Sequence, residues 1–316
     1  MAKTRAAAIS PLYYAKALGA LPSIVNASMY PGNVFYVDSG ETTDGADTAG
    51  FGIHPDKPFL TLDFAVGQCT ASQGDVIFVL PGHAETLATA AVLDIDVAGI
   101  TIIGVGRGDA RPTFSMSASA STVEINADDI HIENLIFVGT FTGGVAKAID
   151  VKTGADDLTI KNCEFRETAN TLELLIAINI EATINRVTIE GCRFKSVIGG
   201  DSTAAIFTEG ACVDLRVIGC SFNGDWLNAV MDLDAAAITT PEVIRCHIRQ
   251  ADPTNGLAIT IDSATIGHFA ELYISTQKSN VVPISDLSAS FCVEVYGTDA
   301  VATSAIILPA TATAWS

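Results

Sequence analysis

Two pairs of adjacent aspartates, Asp128–Asp129 and Asp156–Asp157, stand 28 residues apart. Paired carboxylates cleave glycosidic bonds, one as acid and the other as base or nucleophile, and with further oxygen ligands they hold calcium. The positions that follow at the same spacing point elsewhere. Arg186 and then Asp214 continue the column of Asp157, so its charge alternates in sign. Glu133, Lys161 and Glu190 alternate likewise, and Glu164 faces Arg193. Opposite charges on neighbouring strands are an ordinary way to solvate a sheet. Structural charge ladders are the preferred reading, and Asp128, Asp129, Asp156 and Asp157 form the fallback catalytic set.

Other chemistry-bearing residues are sparser. Asp38, Glu41, Asp44 and Asp47 place a carboxylate every three residues but lack the ligand spacing and closing bidentate Glu of a calcium loop. This leaves Asp38, Asp44 and Asp47 as weak metal candidates. His54, His83, His131, His247 and His268 fall in separate columns, with no metal cluster or nucleophile–base pair among them. His83, in PGHAET, reads as a turn residue. Gly104, Gly106 and Gly108 precede no helical pattern, so a turn is expected there and not a phosphate loop. No cofactor is expected.

What positions these residues is a repeat. One eight-letter phrase recurs at intervals of 26 to 30 residues, most clearly as LTIKNCEF from Leu158, VTIEGCRF from Val187 and LRVIGCSF from Leu215. A fixed period near 28 means a supersecondary unit stacked on copies of itself. Within the phrase the apolar residues change parity, so two short strands meet at a corner. Asn134, Asn162, Gly191 and Gly219 sit at the slip, where left-handed backbone is tolerated. A third alternating run precedes each phrase: AIDVKT, AINIEA, AIFTEG, AVMDLD and AITIDS. Three strands per repeat and no helix predict an all-β parallel β-helix solenoid of about seven or eight coils. Stacking about 4.8 Å apart predicts an internal column of Cys163, Cys192, Cys220 and Cys246. Another column holds Phe137, Phe165, Phe194 and Phe222. The thiols are expected to be free and inert, because stacked neighbours point the same way and suit neither a disulfide nor tetrahedral zinc.

The predicted organisation is an arm at 1–33, an entry strand, loop and capping helix at 34–75, the solenoid at 76–298, and an apolar tail at 299–316. Thr61 is the expected cap of a helix carrying Leu62, Ala65, Val66 and Cys69. The net charge of −19 argues against nucleic acid and anionic membrane as partners. No run of 18 apolar residues suggests a transmembrane helix. Residues 1–37 carry Lys3, Arg5 and Lys16 and no acid, a net of +3, while the remainder, with 36 acids and 14 bases, nets −22. After Asp299 the chain is uncharged and ends near Trp315. A basic arm and an apolar tail point to assembly through the termini, with Lys3, Arg5, Lys16 and Trp315 as the contact residues.

The segment from Asn33 to Thr86, NVFYVDSG…HPDKPFLTLDFAVGQCTASQGDVIFVLPGHAET, resembles the opening of pectate-lyase-like right-handed β-helix proteins. That family includes polysaccharide lyases, glycosidases and tailed-bacteriophage virion components. The chain departs from the enzymes in lacking W-I-D-H and G-H-G motifs. The resemblance therefore implies a non-enzymatic virion protein of the capsid-decoration or head-spike type, assembled in the host cytoplasm. It further implies a homotrimer contacting the major capsid protein and possibly a host-surface glycan. The rival readings are a polysaccharide lyase or glycoside hydrolase, and a glycan-binding adhesin or tail fibre.

Overall fold

In the computed structural model, residues 31–254, 257–278, 284–285, 290–298 and 304–306 are described. Lys3, Arg5, Lys16 and Trp315 fall outside them, as do most of the arm and tail. The chain winds as a parallel β-solenoid of seven full coils, each contributing one strand to each of three faces. The first face opens with Val34–Val37 and Val76–Val79, then runs through Thr101–Gly104, His131–Glu133, Thr159–Lys161, Asn185–Glu190, Val213–Ile218 and Thr239–Ile244. The second face stacks Ala84–Leu87, Thr113–Met116, Ile136–Gly139, Glu164–Arg166, Arg193–Lys195, Ser221–Gly224 and His247–Gln250. The third stacks Leu93–Ile95, Val123–Ile125, Ile149–Val151, Ile176–Ile180, Ala204–Thr208, Met231–Leu233 and Ile259–Ile261. Beyond these coils, Ile266–Thr276 and Phe291–Thr298 pair in parallel along the first two faces. Ser304–Ile306 then pairs antiparallel with the last of them.

Alternation explains the core. Strands read apolar at every second position, and those residues fill one continuous lumen. The phenylalanine column is in register, with Phe137–Phe165, Phe165–Phe194 and Phe194–Phe222 centroids 5.1, 5.0 and 4.7 Å apart. It extends one coil below the recurring phrase to Phe114, 5.8 Å from Phe137, and Ile248 and Ile274 continue it above. Cys163, Cys192, Cys220 and Cys246 are buried and free. The Cys192, Cys220 and Cys246 thiols donate to lumen carbonyls, as Cys192 does to Ile160 O at 3.5 Å. Burial and the adjacent Cys163 and Cys220 hold the Cys192 thiol well above its ordinary range.

The corner between the first and second faces is left-handed at every coil: φ is 63° at Asn134, 53° at Asn162, 63° at Gly191 and 63° at Gly219. A Cβ on Gly191 would meet Asn162 Oδ1 at 2.7 Å, whereas one on Gly219 meets nothing within 4 Å. Gly219→Ala should therefore lose only the backbone preference of about 1–2 kcal/mol, and Gly191→Ala more, because the Asn162 amide must shift. Chemical denaturation of the two variants checks the order.

Among the described residues the one α-helix, α1 (Leu62–Val66), buries Leu62, Ala65 and Val66. Thr61 accepts the Phe64 amide hydrogen at its start. The helix rests against the strands Val34–Val37, Val76–Val79 and Leu93–Ile95.

Candidate functional site

The outward positions of the third face are not exposed as sheet residues usually are. In register they run Asp94, Glu124, Asp150, Asn179, Phe207, Asp232 and Thr260. Asp150 is only 6% exposed, Asn179 0%, Asp232 7% and Thr260 8%. Side chains from the turns on both sides of the sheet cover this column. The result is a trough along the axis, polar except for Phe207 between Asn179 and Asp232 and largely filled by side chains, built from the central residues of the AIDVKT-type runs.

Its lower part is a closed ionic network. Lys147 reaches Asp150 Oδ1 at 3.3 Å and Glu209 Oε1 at 2.6 Å. Lys152 reaches Asp150 Oδ2 at 3.1 Å and Glu181 Oε1 at 2.7 Å. Asn179 Nδ2 donates to Asp150 Oδ1 at 2.6 Å and to Glu209 Oε1 at 2.9 Å. Both carboxylates require the amide N–H groups, so Asn179 Oδ1 is turned away and stays buried without a partner. Burial pulls Lys147 down, but the hydrogen bond to Glu209 and the Asp150 charge lift it above its ordinary range. The hydrogen bond to Glu181, with Asp150, raises Lys152 as well. Both lysines remain protonated and cannot act as bases near neutral pH.

The upper part carries a different arrangement. Asp232 accepts from Asn228 Nδ2 at 3.2 Å and from Thr260 Oγ1 at 3.0 Å. Asp234, two residues on and exposed, has its pKa raised by partial burial, by a hydrogen bond to the Asp232 carboxyl, and by the charges of Asp232 and Asp262. Partial burial and the neighbouring negative charges thus favour the protonated form of Asp234. Asp262 follows Ile261, the register partner of Leu233, and so stands one coil above Asp234.

The acids singled out in the sequence lie elsewhere. Asp128, Asp129, Asp156 and Asp157 occupy the corner between the third and first faces. Asp128 Oδ1 accepts the Asp156 N–H at 2.9 Å, and Asp156 Oδ1 accepts the Asn185 N–H at 2.8 Å. Arg186 Nη2 grips Asp157 Oδ2 at 2.7 Å and lowers its pKa. The carboxylates of Asp128, Asp156 and Asp157 are thus engaged coil to coil, and Asp129 is joined to the next coil by its backbone N–H, which donates to Asp156 O at 2.9 Å. In the opening loop, Asp38 accepts the Gly40 N–H at 2.9 Å, and Asp47 accepts the Leu60 N–H at 2.7 Å and the Thr61 hydroxyl at 2.8 Å. The Asp44 N–H donates to Glu41 at 3.2 Å. Among the described residues, no three His, Cys, Asp or Glu side chains come together as a metal site.

Two sequence expectations need correcting. Glu164 and Arg193 are in register, but Glu164 pairs with Arg111 and Arg166 instead. Both guanidiniums reach it from its own strand and from the turn two coils below, and they saturate it. His83 is not a simple turn residue. It is 1% exposed, its Nδ1 accepts the Ser39 N–H at 3.0 Å, and its Nε2 lies 3.2 Å from Glu85. Glu85 in turn accepts the Leu62 N–H at 3.0 Å. His83 thus braces the opening loop and α1 against the first coil.

No protein-family profile matches the chain, and no curated protein matches it. Among solved structures it is similar to a rhamnogalacturonan lyase, at 16% identity and a TM-score of 0.45 over 84% of this chain and 85% of that one. It is also similar to a pectin methylesterase variant in complex with a hexasaccharide, at 14% identity and a TM-score of 0.46 over 80% and 88%. The similarity is one of β-helix architecture and transfers no site residue.

Proposed function

We propose that this solenoid acts on a polysaccharide laid along the third face, and that the reaction is hydrolysis of a glycosidic bond. The observation that carries this reading is the Asp232–Asp234 pair, in which an exposed carboxyl stands two residues from a buried one on the same face and has its pKa raised. Asp234 is the general acid for the leaving oxygen, Asp232 is the group that holds its proton, and Asp262 is the carboxylate on the neighbouring coil. Beta-elimination is disfavoured, because the lysines of the trough are fixed in their charged form. Adjacent coils lie about 4.8 Å apart, closer to the ~5–5.5 Å carboxyl separation of retaining enzymes than to the ~6.5–9.5 Å of inverting ones. Released sugars should therefore keep their anomeric configuration. Proton NMR of early products from a panel of neutral polysaccharides reads this directly. Products of inverted configuration would remove Asp262 from its role.

A second reading keeps the chain as a non-enzymatic virion surface protein, a homotrimer contacting capsid protein and displaying the solenoid to a host glycan. Its support is the charge split in the sequence, +3 over residues 1–37 against −22 thereafter. The test is the solution mass and particle incorporation of the full chain against one lacking residues 1–33. Monomers in both cases, with neither incorporated into particles, would end that reading.

A further inference from the structure

The thiol column inside the lumen is built more regularly than packing alone requires. Immediately before the paired strands of the second face, coil by coil, stand Leu135, Cys163, Cys192, Cys220, Cys246 and Leu272. Four thiols on consecutive coils are thus closed off by a leucine at each end, and all six side chains are buried. Each gap between thiols is also bordered by a backbone oxygen. Cys192 Sγ lies 3.5 Å from Ile160 O, Cys220 Sγ 3.4 Å from Ile189 O, and Cys246 Sγ 3.5 Å from Val217 O. Ile160, Ile189 and Val217 are themselves in register, and each belongs to the coil beneath the thiol it meets. Along the column, neighbouring thiols are close enough to hydrogen-bond with one another. The three gaps therefore repeat one motif: a sulfur below, a sulfur above and a carbonyl oxygen at the side.

We propose that this column binds copper(I), one ion in each gap between successive thiols. The inference does not rest on the hydrolytic reading, since the column lies inside the lumen and the trough outside it. Three features select the ion. A metal–thiolate bond is about 2.3 Å long, so two end to end span about 4.6 Å, close to the coil spacing of about 4.8 Å. A linear S–Cu–S bridge fits between coils without moving the backbone. It needs only two ligands, so neither the lack of a three-residue cluster among the described residues nor the lack of tetrahedral convergence, which excludes zinc, stands against it. Softness is the second feature, because thiolates select copper(I) over harder cations. Charge is the third. For each ion one S–H bond breaks, a Cu–S bond forms, the proton leaves to solvent and copper keeps its single positive charge. Three ions on four sulfurs leave one thiol protonated, and the apolar interior gains no net charge. A divalent ion in each gap would strand positive charge there.

The test is an anaerobic titration of the reduced full chain with copper(I) alone, read by native mass spectrometry and X-ray absorption after a competing chelator has removed loosely held metal. Cys69→Ser/Cys212→Ser/Cys292→Ser removes the thiols outside the column. That variant should retain about three ions, each with two sulfur neighbours, and copper should raise its melting temperature. Cys192→Ser/Cys220→Ser leaves no two column thiols adjacent and should lose those ions together with the rise in melting temperature. Cys163→Ser, at the end of the column, should retain one ion fewer than wild type, which keeps the proposal testable if the double variant does not fold. Circular dichroism of the metal-free proteins verifies folding. Failure of the full chain to retain copper would overturn the proposal, as would equal retention by a folded Cys192→Ser/Cys220→Ser. Copper bound through nitrogen or oxygen, or zinc held in the column as tightly, would overturn it too.

Discussion

Asp234→Asn should lower the rate of polysaccharide hydrolysis by about 10²–10⁴-fold, the usual contribution of a positioned acid, while the protein stays folded. Loss of activity and loss of fold separate here for a physical reason. The Asp234 pKa is raised by partial burial and by Asp232 and Asp262, so the folded chain holds this proton more tightly than the unfolded chain. As pH rises through the unfolded and then the folded pKa, the ionised carboxyl increasingly opposes folding. An amide removes that opposition, and the variant should melt no lower than wild type at neutral pH. The same shift sets the pH profile. Activity needs the proton on Asp234, so its descending limb should fall above the ordinary aspartate value of about 3.9. Asp232→Asn removes the largest charge contribution and should carry that limb to lower pH. Reducing-end assays across pH check both variants. A limb that does not move in Asp232→Asn would show that the pair is uncoupled and would sink the acid assignment.

Phe194→Ala should cost about 3–5 kcal/mol of stability, the range for truncating a buried aromatic residue. Phe194 is the best-packed ring of the column, with neighbours at 5.0 and 4.7 Å and interplanar angles of 4° and 7°. Removing it opens the lumen between coils that cannot close up, because the backbone ladder on both sides fixes their spacing. The nearby water-sized space bordered by Phe165, Phe194 and Trp226 would merge with the new void, which favours the upper end of the range. Phe114→Ala should cost less, because Phe114 is more loosely stacked, 5.8 Å from Phe137 and in a tilted contact with His83 at 5.3 Å. Denaturant titrations of the two variants give the comparison, and equal losses would show that stacking adds nothing beyond burial.

Much of this molecule is legible from the order of its residues. The repeat of about 28, the parity slip at Asn162 and Gly191, and the recurring Cys and Phe determine a stacked ribbon and which side chains fill it. Each follows from a local rule: alternation fixes in and out, and left-handed corners admit Asn and Gly most readily, while Asp157, Arg186 and Arg245 take the same backbone in this fold. Parity also marks Asp150, Asn179, Asp232 and Thr260 as outward-facing. What parity does not contain is their burial. An outward residue is covered only when turns from several coils fold over it, and turn paths obey no period. The sequence therefore drew attention to Asp156 and Asp157, conspicuous as a pair but held by Asn185 and Arg186. It passed over Asp234, which looks like one surface acid among 36. Only the tertiary structure decided that Asp232 lies beneath it and Asp262 above. A raised pKa depends on distance and lost water, and the distances between coils exist only once the chain has wound.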